Sequence, residues 1–536
     1  MTENYKKYLD WVMYQIYPKS FFDSNGDGIG DMGGITQKLE YIRSLGVNAI
    51  WICPMYKSPQ CDNGYDVSDY RDFQSEYGTM SDFENLVEKA HGLGMKVIMD
   101  LVANHTSTEH SWFKEGRSSR ENFYHDYYYW AEKPLNDWRS VFGGEAWEYN
   151  EQTGEYYLHS FAVEQADVNW TNPKVRKEFC DIVDFWKEKG VDGFRCDVLD
   201  FIAKDFEKDK MLAGPCLHEY VRELFGREEI NELFTVGECA ADEKSICELC
   251  GEDRKELKCS FQFDHLEFGQ KDKFEPQAFS FADVAKILVK WQEFTQKRGL
   301  LYTLLTDNHD RPWLNSRVGN DRELRYESAT ALAVLVYGMK GIPFVFQGQE
   351  IGAANSFYDK ICSFDDVETL NYYGEMQGKM TEEKLMKNIN YGSRDNSRRP
   401  FAWSEGKNFG FTEGEKPWLP FATRSGEINL ENDLSSEKSV CRFYRKLFSL
   451  REQCEALRYG DFKDVTKGKG YLAYERAYNG KKILVICNFE QKKEITGFQK
   501  GKLLLKNFSW ENAENSDMVS PNRIYEPYQA AIFELG

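Results

Sequence analysis

The sequence lacks any apolar run close to the roughly 20 residues that a membrane-spanning helix needs. It also lacks an excess of positive charge, because 68 lysines and arginines face 88 aspartates and glutamates, giving a net charge of −20. This balance argues against general binding to nucleic acid or to an anionic membrane. The beginning, MTENYKKYLDW, has no apolar signal core, so no targeting segment is expected there.

Cysteines in a paired pattern are missing as well. The chain has 13 cysteines, an odd number, scattered among predicted strands and helices, which is typical of reduced thiols rather than a disulfide framework. Cys247 and Cys250 form a lone CxxC, and without a second pair at zinc-site spacing two helix cysteines are favoured over a metal site. We therefore expect a cytoplasmic protein. No internal repeat or low-complexity linker interrupts the chain.

Short β-rich apolar runs alternate with amphipathic helical stretches along most of the sequence. Eight strand candidates occur, at 12–18, 47–54, 95–102, 191–198, 233–239, 258–265, 301–310 and 341–352. Strands that alternate with helices favour a parallel sheet, and eight such units favour a closed (β/α)₈ barrel.

Two regions depart from this alternation. Residues 103–171 are rich in Tyr, Trp and Gly and have weak helical periodicity, which predicts a small domain inserted after the third strand. From about residue 460, apolar strands separated by turn signals predict a C-terminal antiparallel β-sandwich. The predicted domains are a barrel of 1–102 and 172–458, an insert of 103–171 and a C-terminal domain of 459–536.

Charged and polar residues cluster where four of the predicted strands end. They are Asp100, Asn104 and His105 on the third strand, Arg195 and Asp197 on the fourth, Glu238 on the fifth, and Asn308, His309 and Asp310 on the seventh. The carboxyl ends of barrel strands form the active-site face. A single charged strand end is often a helix cap or an ion pair, but four on one rim indicate a catalytic site.

Glycoside cleavage is the chemistry that such a ring of carboxylates supports. A retaining glycosidase needs a carboxylate nucleophile about 5–5.5 Å from a carboxylic acid that protonates the leaving oxygen. Arg195 lies two residues from Asp197 on the same strand face, so it should lower the pKa of Asp197 and keep that group anionic. Glu238 has no adjacent cation in sequence, which suits an acid kept protonated by its surroundings.

The segments "DLVANHTS", "GFRCDVLD", "TVGECA" and "LLTDNHD" resemble, in order and spacing, the four signature regions of the α-amylase family of glycoside hydrolases. The resemblance covers nearly the whole chain. It implies three catalytic residues: Asp197 as nucleophile, Glu238 as acid/base and Asp310 as stabiliser of the transition state. It also implies that His105, Arg195 and His309 bind the sugar that is cleaved.

Further segments resemble the exo-acting oligo-1,6-glucosidase branch of that family. In "DNGYDVSDY", Asp62 would bind the terminal sugar hydroxyls and Tyr65 would stack on the sugar. In "GSRDNSRRPFAW", Arg398 would pair with Asp62 and close the pocket, and "QADVN" implies Gln165 as a pocket residue. Val198, beside the nucleophile, resembles relatives that favour α-1,6 bonds over α-1,4 bonds, and a valine there should face away from Asp197 unless the strand end bends.

Other functions stay open. Some stretches also resemble trehalose-6-phosphate hydrolases, for which Lys271 and Lys273 could meet a phosphate, although a lysine there is more often solvated. Sucrose-cleaving or sucrose-isomerising glucosidases are further options, and a non-catalytic transporter heavy chain is disfavoured by the intact carboxylates. We expect an oligosaccharide substrate, no nucleic-acid or membrane partner, and a monomer.

The loop "DSNGDGIGD" places oxygen ligands at alternate positions, as calcium loops do. The predicted ligands are Asp23, Asn25, Asp27, the carbonyl of Ile29, and Asp31. The twelfth position is glycine instead of a bidentate glutamate, so the loop is not an EF-hand. A phosphate-cradling loop is disfavoured because three acids would repel the anion. We expect structural Ca²⁺ or Mg²⁺.

Overall fold

The computed structural model describes residues 3–239, 242–510 and 518–536, and eight parallel strands form its central sheet. The strands are β1 Met13–Ile16, β2 Ala49–Ile52, β3 Lys96–Val102, β4 Gly193–Asp197, β5 Phe234–Gly237, β6 Cys259–Ser260, β7 Thr303–Leu304 and β8 Ile342–Phe346. Their order in the sheet is β6-β5-β4-β3-β2-β1-β8-β7. At the remaining junction Thr303 Oγ1 donates to the carbonyl of Ser260 at 3.4 Å. The predicted barrel is confirmed.

Eight helices of seven to 18 residues, one after each strand, cover the outside of the barrel. The helices are α1 Met32–Ser44, α2 Met80–Gly92, α3 Pro173–Glu188, α4 Leu217–Phe225, α5 Glu243–Leu249, α6 Phe281–Arg298, α7 Arg325–Tyr337 and α8 Val440–Gln453. Their starts carry sequence signals: Thr79 and Asp82 form a capping box on α2, and Asn172 caps α3 just before Pro173. Apolar residues at helical spacing then turn inward, such as Phe83, Leu86, Val87 and Ala90 of α2.

The register of the strands places the charged residues at the same level along the barrel axis. Arg195 on β4 lies opposite Asp100 on β3. On the other side of β4, Cys196 lies opposite Gly237, so the following residues, Asp197 and Glu238, lie side by side. Every residue of β4 is buried, which is typical of a parallel strand covered on both faces.

The segment between β3 and α3 forms its own small sheets. Trp130–Ala131, Trp147–Asn150 and Glu155–Leu158 make a three-stranded antiparallel sheet, beside the short helix Ser111–Gly116. His105–Ser107 pairs with Gln165–Asp167, and this pairing brings the end of the segment back to the barrel. The insert predicted after the third strand is therefore present, and its exact boundaries stay a prediction.

The C-terminal part is an antiparallel sheet, as predicted. Its strands are β9 Asp461–Asp464, β10 Tyr471–Tyr478, β11 Lys481–Asn488, β12 Gly501–Lys506 and β13 Ala530–Leu535, in the order β9-β10-β11-β13-β12. A smaller sheet pairs Lys493–Ile495 with Arg523–Tyr525. The Tyr474 hydroxyl donates to the carbonyls of Val334 and Leu335 in α7, which ties this sheet to the barrel.

A long excursion between β8 and α8 carries additional helices above the barrel. They are Val367–Met376, Glu382–Gly392, the single turn Asp395–Arg398, and Leu430–Ser435. The first of them touches the insert, since Asn371 Nδ2 donates to the carbonyl of Phe142 at 3.0 Å. None of the helices in the described ranges is long and apolar enough to cross a membrane. All 13 cysteines, including Cys247 and Cys250, are free thiols.

Candidate active site

The guanidinium of Arg195 is the centre of a charge cluster at the carboxyl end of the barrel. Its Nη1 lies 2.6 Å from Asp100 Oδ1 and 2.7 Å from Asp197 Oδ1, and its Nη2 donates to Glu238. Burial opposes the charge of Arg195, but these three carboxylates raise its pKa well above the usual value. The predicted contact between Arg195 and Asp197 is present, and Arg195 also bridges to the second catalytic candidate.

Three carboxylates share this one guanidinium, so the cluster has excess negative charge. Burial raises the pKa of Asp197, with Arg195 opposing and the charges of Glu238 and Asp100 adding to the rise. Burial likewise raises the pKa of Asp100 to about 6. The expectation that Arg195 lowers the pKa of Asp197 overall is therefore wrong, and Glu238, which has no adjacent cation in sequence, contacts Arg195 across the strands. Neighbouring carboxylates that share one cation still suit a site needing one acid and one anion.

His309 is held as a neutral hydrogen-bonding group. Gln15 Nε2 donates to its Nδ1 at 2.7 Å, which leaves the ring proton on Nε2. That Nε2 lies 2.6 Å from the Tyr65 hydroxyl and 3.0 Å from Asp310 Oδ2. Burial lowers the pKa of His309 well below its usual value. The Tyr65 ring stacks on His309 with centroids 5.3 Å apart, so both rings line one wall of the cavity.

The end of the cavity farthest from solvent is closed by hydrogen-bonded side chains. Gln165 Nε2 lies 3.1 Å from both Asp62 Oδ2 and His105 Nε2, and all three side chains are buried. Arg394 Nη2 lies 3.1 Å from the other carboxylate oxygen of Asp62. Burial raises the pKa of Asp62 to about 6 despite this partner, and burial lowers the pKa of His105 to about 4.

The prediction that Arg398 pairs with Asp62 is wrong. Residues 395–398 form a single helical turn that begins after Arg394 and ends at Arg398, so the two arginines share Asp310 but only Arg394 pairs with Asp62. Arg394 contacts Asp62, whereas Arg398 Nη2 lies 3.0 Å from Asp310 Oδ1. Burial opposes ionisation of Asp310, but contact with His309 and the two arginines holds its pKa well below the usual value. Because His309 is neutral, the arginines supply the positive charge.

Val198 marks the change from the closed end to the open end of the cavity. Strand β4 stops at Asp197, and Val198 has φ 34° and ψ 47°, a left-handed conformation that is strained for a β-branched residue. The strand end therefore bends, and Val198 lines the cavity next to Asp197 instead of facing away from it. Phe142 and Phe161 of the insert and Phe201 pack around it.

The opposite side of the opening is charged but internally paired. Lys273 is within ion-pair distance of Glu368, and Arg311 Nη2 lies 2.5 Å from Glu267 Oε1. Burial lowers the pKa of Lys273. Lys271, in contrast, is exposed and pairs with Glu275, so the prediction of a solvated lysine holds there and fails for Lys273.

Two names describe these regions below. The pocket floor comprises Asp62, Tyr65, Asp100, His105, Gln165, Arg195, Asp197, His309, Asp310, Arg394 and Arg398. The pocket mouth comprises Val141, Phe142, Phe161, Val198, Phe201, Phe263, Lys273, Arg311 and Glu368. Glu238, with 21% of its side chain exposed, lies between them.

Sequence reasoning missed three residues that support the floor. Gln15 and Trp51 are neighbours in the register of β1 and β2, and the Trp51 indole donates to Asp100 Oδ2 at 2.8 Å. The polar Gln15 within an otherwise apolar strand was an available signal. Arg394 stands in the same arginine-rich segment as Arg398, but only the helical turn between them shows which carboxylate each one reaches.

The predicted metal loop is a series of tight turns. Asp23 accepts backbone N–H bonds from Asn25, Gly26 and Gly28, and Asp31 caps α1 through the N–H of Gly34. Burial, together with the charges of Asp23 and Asp31, raises the pKa of Asp27. Across the described ranges, no three or more His, Cys, Asp or Glu side chains converge closely enough to hold a metal ion. In this conformation the loop offers clustered negative charge, but its carboxylates face its own backbone.

Residues 15–460 match the model of the α-amylase catalytic domain. An oligo-1,6-glucosidase of Parageobacillus thermoglucosidasius is 40% identical, with 98% of each chain covered. A trehalose-6-phosphate hydrolase of Bacillus subtilis is 41% identical, with 89% of each chain covered.

Solved structures agree with these sequence matches. The trehalose-6-phosphate hydrolase of Bacillus licheniformis is 39% identical and superposes with a TM-score of 0.90 over 99% of both chains. The trehalulose synthase of Pseudomonas mesoacidophila is 36% identical, with a TM-score of 0.93 over 99% of both chains. With the barrel, the charge cluster and these matches in agreement, the chain belongs to the α-amylase family of glycoside hydrolases.

Proposed function

We propose that this enzyme is a retaining α-glucosidase that removes terminal glucose from short oligosaccharides, with a preference for α-1,6 bonds. The observation that carries this proposal is the closed pocket floor, where Asp62, Gln165 and Arg394 block the far end of the cavity. A cavity with one blind end admits only a chain terminus. The oligo-1,6-glucosidase relatives support the linkage.

The geometry gives each proposed catalytic residue a task. Asp197 attacks the anomeric carbon and forms a glycosyl ester, while Glu238 protonates the leaving oxygen and later activates water. Arg195 touches both groups and so fixes their relative positions. Asp310 stays ionised between Arg394 and Arg398 and can stabilise the positive charge that develops on the sugar ring.

Hydrolysis of trehalose-6-phosphate is the second candidate, and Lys273 in the pocket mouth is the observation that favours it. A phosphate bound there would need an available cation. Lys273 is already paired with Glu368, and Arg311 with Glu267, so the mouth offers little uncompensated positive charge. The pairing therefore supports an uncharged leaving group.

The deciding experiment compares kcat/KM on isomaltose, maltose, sucrose, trehalose and trehalose-6-phosphate under one set of conditions. We expect the highest value on isomaltose, and NMR of the first product should show α-glucose because stereochemistry is retained. A highest value on trehalose-6-phosphate would overturn the linkage proposal, and release of β-glucose would overturn the retaining mechanism.

We also propose that the loop 23–31 binds structural Ca²⁺ or Mg²⁺. Asp23, Asp27 and Asp31 place three carboxylates within one tight loop, and Asn25 and the Ile29 carbonyl add neutral oxygens. The carboxylates would have to turn from the backbone towards the ion. Chelation should lower Tm without changing the rate of the folded enzyme; an activity that vanishes on chelation while the fold persists would contradict a structural role.

A reducing, cytoplasmic location and a monomeric state are further parts of this proposal. Thirteen free thiols, seven of them buried, support the location. Localisation of the chain in its native cells and sedimentation analysis of the purified enzyme test the two statements separately. Secretion of the enzyme would contradict the first, and a dimer that persists at nanomolar concentration would contradict the second.

A further inference from the structure

Lys204 is a completely buried lysine six residues beyond Val198, and none of the catalytic steps above uses it. Its ammonium donates to the Phe201 carbonyl at 2.7 Å and to Asn104 Oδ1 at 2.9 Å, and it lies 2.8 Å from Asp167 Oδ2. An ammonium has three protons, and here each has an acceptor. The three acceptors belong to three separate segments: the turn after β4, the end of β3 and the last strand of the insert.

The first acceptor fixes the turn that follows the proposed nucleophile. This turn begins with the strained Val198 and continues as the short helix Leu199–Ile202. Its backbone is held at one end by Leu199 N–H, which donates to the Glu238 carbonyl at 2.9 Å. At the other end, Lys204 binds the Phe201 carbonyl. A left-handed valine persists only where its surroundings impose that conformation, and these two bonds do so.

The second acceptor leads to the closed end of the pocket floor. Asn104 Nδ2 lies 3.2 Å from His105 Nδ1, and His105 Nε2 lies 3.1 Å from Gln165 Nε2. Gln165 in turn donates to Asp62. The bond from Lys204 to Asn104 thus fixes an amide that contacts His105, although a neutral imidazole accepts a hydrogen bond from only one of the two amides beside it.

The third acceptor anchors the insert strand that carries Gln165. Asp167 is fully buried and also accepts bonds from the backbone N–H of Ser160 and from Asn104 Nδ2. Burial lowers the pKa of Lys204, and the charge of Asp167 opposes that change. Replacing a buried pair of this kind with apolar residues often costs little stability, so the pair is not explained by stability alone.

We propose that Lys204 is a positioning residue that holds the nucleophile turn and the sugar-binding floor at one fixed separation. The inference rests on the glycosidase activity of the family but not on the linkage preferred. It predicts that loss of Lys204 slows the chemical step more than it weakens substrate binding, because Asp197 and the bound glucose shift relative to each other.

Lys204→Met tests this on the full-length enzyme, with kcat and KM for an aryl α-glucoside and Tm as readouts. We expect kcat to fall about 10- to 100-fold, since small misplacements of reacting groups have effects of that size, with KM changed less than threefold. Arg451→Met is the matched control. Arg451 is another buried cation, but its hydrogen bonds go to the backbone carbonyls of Tyr337, Met339, Gly341 and Leu457, so its loss should lower Tm and leave kcat unchanged.

A double variant separates positioning from charge compensation. Lys204→Met alone leaves Asp167 without its cation, whereas Lys204→Met with Asp167→Asn removes both charges and should recover Tm. The inference requires that kcat stay low in the double variant, because the bonds to Phe201 and Asn104 are still absent. Recovery of kcat together with Tm, or a Lys204→Met enzyme with wild-type kcat at a temperature where it is folded, would overturn it.

Discussion

The pocket floor and the pocket mouth are adjacent parts of one cavity, but they are built in different ways. The floor consists mainly of buried polar groups with several partners each, such as Arg394 between Asp62, Asp310 and Asp366. The mouth combines an apolar wall around Val198 with ion pairs that have few partners, such as Arg311 with Glu267. Substituting one residue of a shared network disturbs several partners at once, so the floor should lose activity on substitution. A residue with one partner disturbs only that partner, so substitutions in the mouth should cost less activity. The floor is therefore suited to binding one particular sugar, and the mouth to accepting different leaving groups.

Asp197→Asn, a substitution in the floor, should cause the largest loss of turnover of any variant in either region. An amide cannot form the glycosyl ester, so turnover should fall by about 10⁴-fold or more while the fold stays intact. Single-turnover kinetics on a deamidation-free preparation, with circular dichroism as a check of folding, measure this. A rate close to wild type would exclude Asp197 as the nucleophile.

Matched arginine-to-lysine changes compare the floor and the mouth directly. Arg394 contacts Asp62 and Asp366 through Nη2 and Asp310 through Nη1, a spread of contacts that one ammonium cannot reproduce. Arg394→Lys should lower kcat/KM about 100-fold. Arg311→Lys in the mouth keeps its single partner Glu267 within reach and should change kcat/KM less than about fivefold. Equal losses in the two variants would show that the floor and the mouth do not differ in tolerance.

Much of the floor could be predicted from the sequence, because the barrel imposes it. Once eight strands are recognised, the carboxyl ends of β3, β4, β5 and β7 must meet at one face, and their charged residues with them. The contact of Arg195 with Asp197 followed from the two-residue period of a strand. These predictions depend only on local spacing and on the closure of the sheet.

The mouth and the arginine partners could not be predicted in the same way. Whether Arg394 or Arg398 reaches Asp62 depends on a single helical turn in a long excursion from the barrel. The inward position of Val198 depends on a backbone bend, because a regular strand would point this side chain away. The raised pKa of Asp197 depends first on its burial and then on the neighbouring carboxylates, and the sequence shows only the adjacent Arg195. Tertiary contacts decided all three.

The pH dependence of activity tests the floor through Asp62, whose pKa is about 6. Its anion pairs with Arg394 and accepts hydrogen bonds on both oxygens, whereas the protonated form loses the charge and part of this capacity, so kcat/KM should fall up to tenfold per pH unit below 6. The effect on stability has the opposite sign. A carboxyl with a raised pKa binds protons in the folded state first, so its contribution to folding free energy becomes more favourable from pH 6 down to about 4.

Activity and stability measured together between pH 4.5 and 7 distinguish this titration from acid unfolding. The Asp62→Asn variant should be weakly active and should gain less stability on acidification than the wild type. Asp100, with a pKa also about 6, titrates in the same range, so the variant is needed to isolate the share of Asp62. A wild-type enzyme whose kcat/KM and Tm fall together below pH 6 would contradict the assignment.

The smallest expected effect concerns linkage and the mouth. Val198 lines the cavity beside the nucleophile, so its side chain can meet the leaving sugar directly. Threonine has nearly the same shape as valine but adds a hydroxyl that can donate a hydrogen bond. Such a bond contributes about 0.5–1.5 kcal/mol, or roughly 2- to 13-fold in rate. Val198→Thr should therefore raise the maltose-to-isomaltose ratio of kcat/KM by that factor.

The control for this prediction is a variant that keeps the strained backbone at position 198 but adds no hydroxyl. Val198→Ala keeps a Cβ at the left-handed position but has no hydroxyl, so it should change both substrates alike and leave the ratio within about twofold. A ratio that shifts equally in the alanine and threonine variants would mean that space, and not hydrogen bonding, selects the linkage. An unchanged ratio in both would move the choice to the opposite wall, where Arg311 and Phe263 face the same opening. The floor variants cannot give this information, because they lower the rates on both substrates together.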